Sequence, residues 1–223
     1  MKKGKLIVLE GIDGSGKSSQ YRMLCQRMEK DQIDYNHIVF PRYDKDSSAL
    51  IRMYLAGEFG TKPTDVNAYT ASAFFAVDRF ASYSTDWGKI YENGGLILSD
   101  RYTTSNAVHQ GCKLGDDELP AYFDWLYDFE HVKLGLPEPD LVLYMDVDLE
   151  TSLSRMEKRQ SDTNTKADIH EKDVEYLKCC LHTAQMAAKH WGWKAISSKK
   201  NGQLRSMEDI NEEIYSIILE TIK

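Results

Sequence analysis

Along the chain, short runs of apolar residues alternate with longer stretches in which apolar residues recur at intervals of three or four. A short apolar run is typical of a buried strand, and the three-to-four spacing is typical of a helix with one apolar face. The pattern predicts strands at 6–9, 35–40, 96–100, 140–147 and 193–197, and helices at 19–30, 47–57, 67–91, 102–111, 121–134, 148–159, 172–190 and 207–218. Strands that alternate with helices favour an α/β fold of three layers, with helices on both faces of a mostly parallel, five-stranded sheet.

The stretch between the first predicted strand and the first predicted helix is rich in glycine. Residues 11–18 read Gly-Ile-Asp-Gly-Ser-Gly-Lys-Ser and fit the phosphate-loop pattern GxxxxGK[ST]. Such a turn lets backbone N–H groups face an anion, and the helix that follows adds the positive end of its dipole. Lys17 is placed to reach the β and γ phosphates of a nucleoside triphosphate, and the Ser18 hydroxyl to bind Mg²⁺. The predicted triphosphate-binding residues are Gly11, Ile12, Asp13, Gly14, Ser15, Gly16, Lys17, Ser18 and Ser19.

The charge balance argues against a polynucleotide partner. Among 223 residues, 28 are Lys or Arg and 35 are Asp or Glu, giving a net charge of −7 without any block rich in Lys or Arg. We therefore expect no nucleic-acid partner. No apolar run approaches the roughly 20 residues of a membrane span, and the first residues lead into a strand, so we expect a cytoplasmic protein without membrane contact. The four cysteines lack CxxC spacing, which favours reduced thiols over disulfides or zinc.

Charged residues follow two of the predicted strands, at the edge of a parallel sheet where ligands bind. Arg42 and Tyr43 come after the second strand. Asp100 and Arg101 come at the end of the third, whose apolar run closed by an acid resembles a Walker B strand. The phosphate loop lies at the same edge, so these side chains are candidates for contact with a phosphorylated ligand.

Phe75 and Arg79 lie four residues apart in a predicted helix and therefore share a face. An aromatic ring and a guanidinium so placed can meet the same planar ligand. The alternative is that Phe75 belongs to the core and that Arg79 is a solvated charge. His109 alone is more typical of a structural histidine, and the aromatic residues of 121–134 are typical of a core or a subunit interface.

Residues 160–167 lack periodicity and are mostly polar, which predicts a mobile loop. A lid over a ligand and a run of solvated charges are both compatible with this composition. Charged residues flank the loop, with Arg155, Lys158 and Arg159 before it and Asp168, His170, Glu171 and Asp173 after it.

A phosphate loop alone does not separate motors, GTPases, transporter ATPases and kinases. The chain has no Asn-Lys-x-Asp string, which argues against a guanine-specific GTPase, and its short, weakly basic sequence argues against helicases. Arginines near several predicted strand ends favour a kinase that brings two phosphorylated ligands together.

With the loop at 11–18, four further strings resemble the thymidylate kinase family in order and spacing. They are Phe-Pro-Arg-Tyr at 40–43, Phe-Ala-Val-Asp-Arg at 75–79, Asp-Arg-Tyr-Thr-Thr-Ser-Asn at 100–106 and Leu-Gly-Leu-Pro-Glu-Pro-Asp at 134–140. The resemblance covers most of the chain. It implies a P-loop NTPase fold, a single kinase domain over residues 1–223 and a lid segment at about 155–170. It also implies transfer of the ATP γ-phosphoryl group to dTMP, giving dTDP and ADP for dTTP synthesis, with Mg²⁺ and as a homodimer.

The resemblance also implies roles on the acceptor side. Arg42 matches the arginine at the acceptor phosphate, Phe75 the ring stacked on thymine and Arg79 the donor to a base carbonyl, with Asn106 at the base edge. The implied substrate-binding residues are Arg42, Tyr43, Phe75, Arg79, Asp100, Arg101, Ser105, Asn106, His109 and His170.

On the catalytic side, the resemblance places Asp13 near the sugar 3′-hydroxyl and the acceptor phosphate, and Arg101 where it holds the phosphoryl groups in register. Some family members carry a catalytic arginine inside the loop. Here the loop has Gly14 and Ser15, so the resemblance moves that charge to the lid, to Arg159 first. The implied catalytic residues are Lys17, Arg101, Arg159, Asp13 and Arg155, and the implied Mg²⁺ ligands are Ser18, Asp13, Asp100 and Glu171.

Two positions depart from the family pattern. His109 stands where an aromatic residue near the deoxyribose is common, and His170 stands where some bacterial members have tyrosine, beside Glu171. Two alternatives to a thymidylate kinase stay open at this point. They are another nucleoside or nucleoside monophosphate kinase, and a non-catalytic P-loop module that binds nucleotide without turnover.

Overall fold

A computed structural model describes residues 3–163 and 174–223, with the backbone alone for 159–163. Five strands form one sheet in the order β2-β3-β1-β4-β5, and every neighbouring pair is parallel. The strands are β1 Lys5–Glu10, β2 Asn36–Val39, β3 Leu96–Asp100, β4 Leu141–Asp146 and β5 Lys194–Ser197. The prediction of an α/β fold around a five-stranded parallel sheet is confirmed.

Nine α-helices are found among the residues that the structure describes. They are α1 Lys17–Lys30, α2 Ala49–Ala56, α3 Ala68–Ser82, α4 Gly88–Glu92, α5 Thr103–His109, α6 Leu119–Tyr127, α7 Leu149–Thr163, α8 Val174–Trp191 and α9 Met207–Ile222. A short antiparallel hairpin of β6 Lys199–Lys200 and β7 Gln203–Leu204 precedes α9. No helix of the described ranges is long and apolar enough to cross a membrane.

The two faces of the sheet are covered by different helices, because successive strand residues point to opposite sides. Ile7 and Leu9 of β1 pack with residues of α1 and α9 in one core cluster. Leu6 and Val8 pack on the other face with a cluster that includes the fully buried Trp87. Helices therefore lie on both sides of the sheet, and the carboxyl ends of β1 and β3 are level, since Leu9 pairs with Asp100.

The helix predicted at 67–91 is divided in the structure. α3 passes into a π-helical turn at Tyr83–Trp87, after which α4 begins. The wider turn brings the indole of Trp87 into the core beside Tyr83, with ring centroids 4.9 Å apart. Gly88 permits this path, because a Cβ there would overlap the carbonyl oxygen of Tyr83. A similar π-helical turn, Asp128–Lys133, follows α6.

The prediction of a mobile loop at 160–167 is wrong for its first four residues. α7 continues past Arg159 to Thr163, so 160–163 is helical. The preceding Glu, Lys, Arg and Gln residues are good helix formers and extend the helix despite their polarity. Residues 164–167 lie outside the described part of the chain.

Candidate active site

The glycine-rich loop connects β1 to α1, as its sequence predicts. Gly14 and Gly16 adopt φ angles of 73° and 89°, which residues with a side chain rarely take. Gly16 caps the amino end of α1, so the loop wraps around the positive end of the helix dipole. The buried hydroxyl of Ser15 has no hydrogen-bond partner among the described residues, which is consistent with a loop shaped to hold an anion.

Lys17, the first residue of α1, forms a buried ion pair with Asp100 at the end of β3. Burial lowers the pKa of Lys17, and the nearby Arg101 charge lowers it further, whereas Asp100 opposes the shift. The lysine is therefore held by the Walker B-like carboxylate at the sheet edge. A bound polyphosphate would compete with Asp100 for the same ammonium group.

Arg101 joins three neighbours at the sheet edge. Its Nη2 donates to Asp13 Oδ1 at 2.7 Å, its Nη1 lies 2.8 Å from His109 Nε2, and Nη1 is 3.6 Å from Glu10 Oε1. Burial alone would lower the pKa of Arg101, but the carboxylates of Asp13, Glu10 and Asp100 outweigh it and raise the pKa. Arg101 is thus a permanent cation whose direction is fixed from several sides.

Glu10 was not expected from the sequence, although it directly precedes the loop. Its carboxylate is fully buried and accepts hydrogen bonds from the Gly11 backbone N–H at 2.8 Å, from Thr104 Oγ1 at 2.6 Å and from Ser105 Oγ at 2.7 Å. It therefore ties the start of the phosphate loop to α5 and stands behind Arg101. An acid closing an otherwise apolar strand is the signal that could have identified it.

A cavity of about 280 Å³ opens beside the loop and contains most of the predicted acceptor residues. Phe75 is half-buried at its wall, with its ring at 90° to that of Tyr54 and 6.4 Å away. Tyr43 lies at the exposed rim. The predicted residues that line this acceptor cavity are Asp13, Lys17, Ser18, Tyr43, Phe75, Arg79, Asp100, Arg101, Ser105, Asn106 and His109.

Arg79 is not a solvated surface charge, since its relative exposure is 1%. Its Nε and Nη2 each donate to the carboxylate of Glu130 at 2.6 Å. Asn106 donates through Nδ2 to Glu130 at 2.8 Å and to the Ser72 carbonyl at 3.1 Å. The two candidate base-reading side chains are therefore held by one buried carboxylate, which sequence reasoning missed. Glu130 lies four residues after Leu126 on the apolar stripe of 121–134, and an acid on a buried stripe is the available signal.

Arg42 is placed differently. It is not among the described residues that line the acceptor cavity. Its Nε lies 3.3 Å from Asp78 Oδ1, its Nη2 lies 3.1 Å from Ser47 Oγ, and its Nη1 forms an ion pair with Asp86. Asp78 is fully buried and also accepts from the Arg42 backbone N–H at 2.9 Å. The structure thus shows Arg42 bound to acidic neighbours beside the site.

A second cavity, of about 400 Å³, lies on the other side of the phosphate loop. Arg155 of α7 lines it and donates from Nη1 to the Ser15 carbonyl at 2.8 Å. Arg205 and Met207, near the start of α9, also line it and were not expected from the sequence. This donor cavity is bounded by residues 12–20 of the loop and first helical turn.

The two cavities share four lining residues, which are Asp13, Lys17, Ser18 and Arg101. Ligands on either side of this shared wall can therefore meet at two cations, a hydroxyl and a carboxylate. Of the remaining predicted residues, Arg159 has only its backbone described, within α7, and His170 and Glu171 lie outside the described residues. The described ranges contain no group of three or more His, Cys, Asp or Glu side chains able to hold a metal by themselves.

Comparison with known proteins identifies the family. The thymidylate kinase family model matches residues 9–210. The thymidylate kinase of Mycobacterium tuberculosis (strain CDC 1551 / Oshkosh) is 30% identical over 198 residues, covering 86% of this chain and 91% of the relative. A probable thymidylate kinase of Methanobrevibacter smithii is 34% identical over 158 residues, covering 71% of this chain and 72% of the relative.

The fold is shared with a solved structure of thymidylate kinase from Candida albicans. The TM-score is 0.69 at 19% identity, over 99% of this chain and 94% of that chain. The family predicted from the five sequence strings is confirmed by the match over residues 9–210. This chain belongs to the thymidylate kinase family.

Proposed function

We propose that this protein transfers the γ-phosphoryl group of ATP to dTMP, giving dTDP and ADP. The observation that carries the proposal is the shared wall between two cavities, one behind the phosphate loop and one lined by base-reading side chains. A phosphoryl group that moves from one ligand to the other must cross such a wall. Phosphoryl transfer depends mainly on positioning and on charge, and the wall supplies both.

In the acceptor cavity, dTMP lies with its base against the Phe75 ring. Stacking of this kind contributes about 1–3 kcal/mol and does not select a base. Selection comes from the polar edge, where Arg79 donates to a base carbonyl and Asn106 accepts from the ring N–H. His109 and Ser105 line the same cavity, and His109 contacts Arg101. In this binding mode both side chains face the sugar. The orientation brings the acceptor phosphate towards Arg101.

In the donor cavity, the triphosphate of ATP lies on residues 11–19 with Lys17 turned from Asp100 to the β and γ phosphates. The oxygens of Ser18 and Asp13 line both cavities and that of Asp100 lines the acceptor cavity beside them, and hard oxygen ligands of this kind fit Mg²⁺. When bound, Mg²⁺ neutralises charge on the β and γ oxygens. An oxygen of the dTMP phosphate forms the new bond to phosphorus as the bond to ADP breaks.

Arginines surround the group in transfer. Arg101 holds the two phosphates in register, and Asp13 keeps Arg101 in place through the 2.7 Å contact. Arg155 supports the loop, while Arg159, one turn further along α7, provides the catalytic charge when the lid closes over ATP. Arg42 leaves Asp86 to bind the acceptor phosphate. Planar guanidinium groups suit these oxygens because they donate in pairs.

The proposal extends to the domain organisation, the oligomeric state and the cellular location of the protein. We take the chain as one kinase domain over residues 1–223 with its lid at about 155–170, working as a homodimer in the cytoplasm. Val77 and Phe80 on the outer face of α3 are 51% and 45% exposed, and apolar side chains grouped on one helix face support a subunit contact.

A coupled ADP-release assay with Mg²⁺ and ATP tests the proposal. The panel of acceptors is dTMP, dUMP, dCMP, dGMP and thymidine, with the phosphorylated product identified by mass. We expect dTMP to give the highest kcat/KM, with dUMP next, because a methyl pocket discriminates by only about 1–3 kcal/mol. Preference for another acceptor would favour a different nucleotide kinase. Nucleotide binding without ADP release would favour a non-catalytic module.

A further inference from the structure

Three N–H donors converge on one buried carboxylate, that of Glu130. Oε2 accepts from Arg79 Nε at 2.6 Å, and Oε1 accepts from Arg79 Nη2 at 2.6 Å and from Asn106 Nδ2 at 2.8 Å. Glu130 has no exposed surface. It belongs to the π-helical turn after α6, whereas Arg79 is on α3 and Asn106 on α5. One side chain therefore connects the two base-reading residues from behind the cavity.

These bonds determine which end of each side chain the ligand meets. The amide of Asn106 has two N–H groups, and its Nδ2 donates both to Glu130 and to the Ser72 carbonyl at 3.1 Å. Its oxygen is then the end left for the ligand, so Asn106 is an acceptor. Arg79 uses Nε and one N–H of Nη2 on Glu130, so the N–H groups left for the cavity that Arg79 lines are those of Nη1 and the second one of Nη2.

We propose that Glu130 is a positioning residue that determines base specificity, by holding Arg79 as donor and Asn106 as acceptor against the base edge. The proposal rests on the function proposed above and deepens it. Thymine and uracil present a ring N3–H and a carbonyl at position 4, which complement this pair. A cytosine-type base presents an acceptor at N3 and an amino group at position 4. Asn106 would then place an acceptor against an acceptor, and Arg79 a donor against a donor.

Stability alone does not account for the arrangement. A buried ion pair can often be replaced by well-packed apolar residues at no cost to stability, so Glu130 is not required simply to fill its site. A site built around directed hydrogen bonds, by contrast, rejects a mismatched ligand strongly, because buried polar groups are left unpaired. Glu130 supplies that direction to both side chains at once.

The test compares dTMP with 5-methyl-dCMP, which keeps the methyl group and changes only the base edge. The variant is Glu130→Gln. Its amide replaces one acceptor oxygen with an N–H group, so at least one of the three donors loses its partner in either orientation. We expect the ratio of kcat/KM for dTMP to that for 5-methyl-dCMP to fall about 10-fold or more. The ratio of dTMP to dUMP, which reports the methyl pocket, stays within about twofold.

Glu138→Gln is the matched control, because Glu138 is an exposed carboxylate bound to the Tyr127 hydroxyl outside the acceptor cavity. Both ratios are expected to stay at the wild-type values. If Glu130→Gln does not fold, the double variants Arg79→Met/Glu130→Gln and Arg79→Met/Glu130→Met replace it, since neither leaves an unpaired buried guanidinium. They differ in whether an oxygen remains for Asn106, and the Gln form should keep the higher ratio.

The outcomes separate the two proposals. A wild-type enzyme that does not phosphorylate dTMP removes the proposed function. A wild-type enzyme that uses dTMP, together with an unchanged ratio in folded Glu130→Gln or equal ratios in the two double variants, overturns only the role of Glu130. A parallel fall of both ratios in Glu130→Gln also overturns it, because that result indicates general damage to the cavity.

Discussion

Replacing Arg101 with lysine separates the shape of its guanidinium from its charge. In the structure, two different nitrogens of Arg101 reach Asp13 at 2.7 Å and His109 at 2.8 Å, with Glu10 3.6 Å from the second. A lysine ammonium is a single point and cannot span these partners while also meeting a phosphate. At least one charge-assisted hydrogen bond is therefore lost.

The expected loss of activity follows from the loss of at least one such hydrogen bond. A hydrogen bond to a charged group contributes about 1.5–3 kcal/mol, which corresponds to a fall in kcat/KM for dTMP of roughly 10- to 150-fold. The backbone does not complicate the comparison. Arg101 has a φ of 68°, a strained value for any residue other than glycine, but lysine would bear the same cost.

Steady-state ADP release at varied dTMP measures the effect, and a thermal melt checks the fold. Arg27→Lys is the matched control, because Arg27 pairs with Glu212 on the surface away from both cavities, and its activity should be unchanged. An Arg101→Lys enzyme that melts normally and keeps kcat/KM within about threefold of wild type would refute the reasoning, since it would show that charge alone suffices.

Three further predictions concern the lid, the metal and acid stability. Arg159→Ala should lower kcat far more than it raises the dissociation constant for dTMP, whereas Arg155→Ala should weaken ATP binding as well, because Arg155 also holds the loop carbonyl at 2.8 Å. Removing Mg²⁺ with EDTA should abolish turnover but preserve dTMP binding measured by calorimetry, since the base contacts need no metal. Asp148 accepts hydrogen bonds from the Lys199 ammonium group and from the backbone N–H of Thr151. Both keep the pKa of Asp148 below its ordinary value, and the contact with Lys199 has the larger effect. Asp148 therefore stabilises the fold above about pH 4, by up to about 1 kcal/mol for a partly exposed group, and this contribution is lost as the pH falls through the lowered pKa. Chemical unfolding between pH 6 and pH 2 should thus show a smaller loss of stability in Asp148→Asn than in wild type.

Each of these three predictions has an outcome that would contradict it. Wild-type turnover in Arg159→Ala would remove the lid arginine from the mechanism. Full turnover in EDTA would show that Mg²⁺ is not needed for the reaction. Parallel stability curves for wild type and Asp148→Asn would mean that the ion pair with Lys199 does not form in solution.

The phosphate loop could be predicted because its chemistry is local. Glycines, lysine and serine at fixed spacing specify both the turn and its ligand, and the level ends of β1 and β3 then bring Asp100 beside the loop. Glu130 was missed because its partners are distant, with Arg79 lying 51 residues away. Spacing within a helix indicates that an acid is buried, but only the packing of three helices shows what it binds.

The π-helical turns were missed for a related reason. The sequence of 67–91 keeps a helical spacing throughout, and no break in that spacing marks the extra residue that brings Trp87 into the core. The turn is chosen by the fit of a large ring against the sheet, and this is a tertiary effect. Gly88, whose lack of a side chain leaves room for Tyr83, is the one local sign.

Gly14 restricts how this enzyme can change over evolutionary time. Its φ is 73°, and a Cβ added there would overlap the carbonyl oxygen of Ser152 in α7. An arginine cannot be placed at position 14 by a single substitution unless α7 first moves. That same helix carries Arg155 and Arg159, so the movement would also displace the two arginines proposed to supply the catalytic charge. Under the proposed mechanism, a change from a lid arginine to an arginine at position 14 therefore passes through a form in which neither is in place.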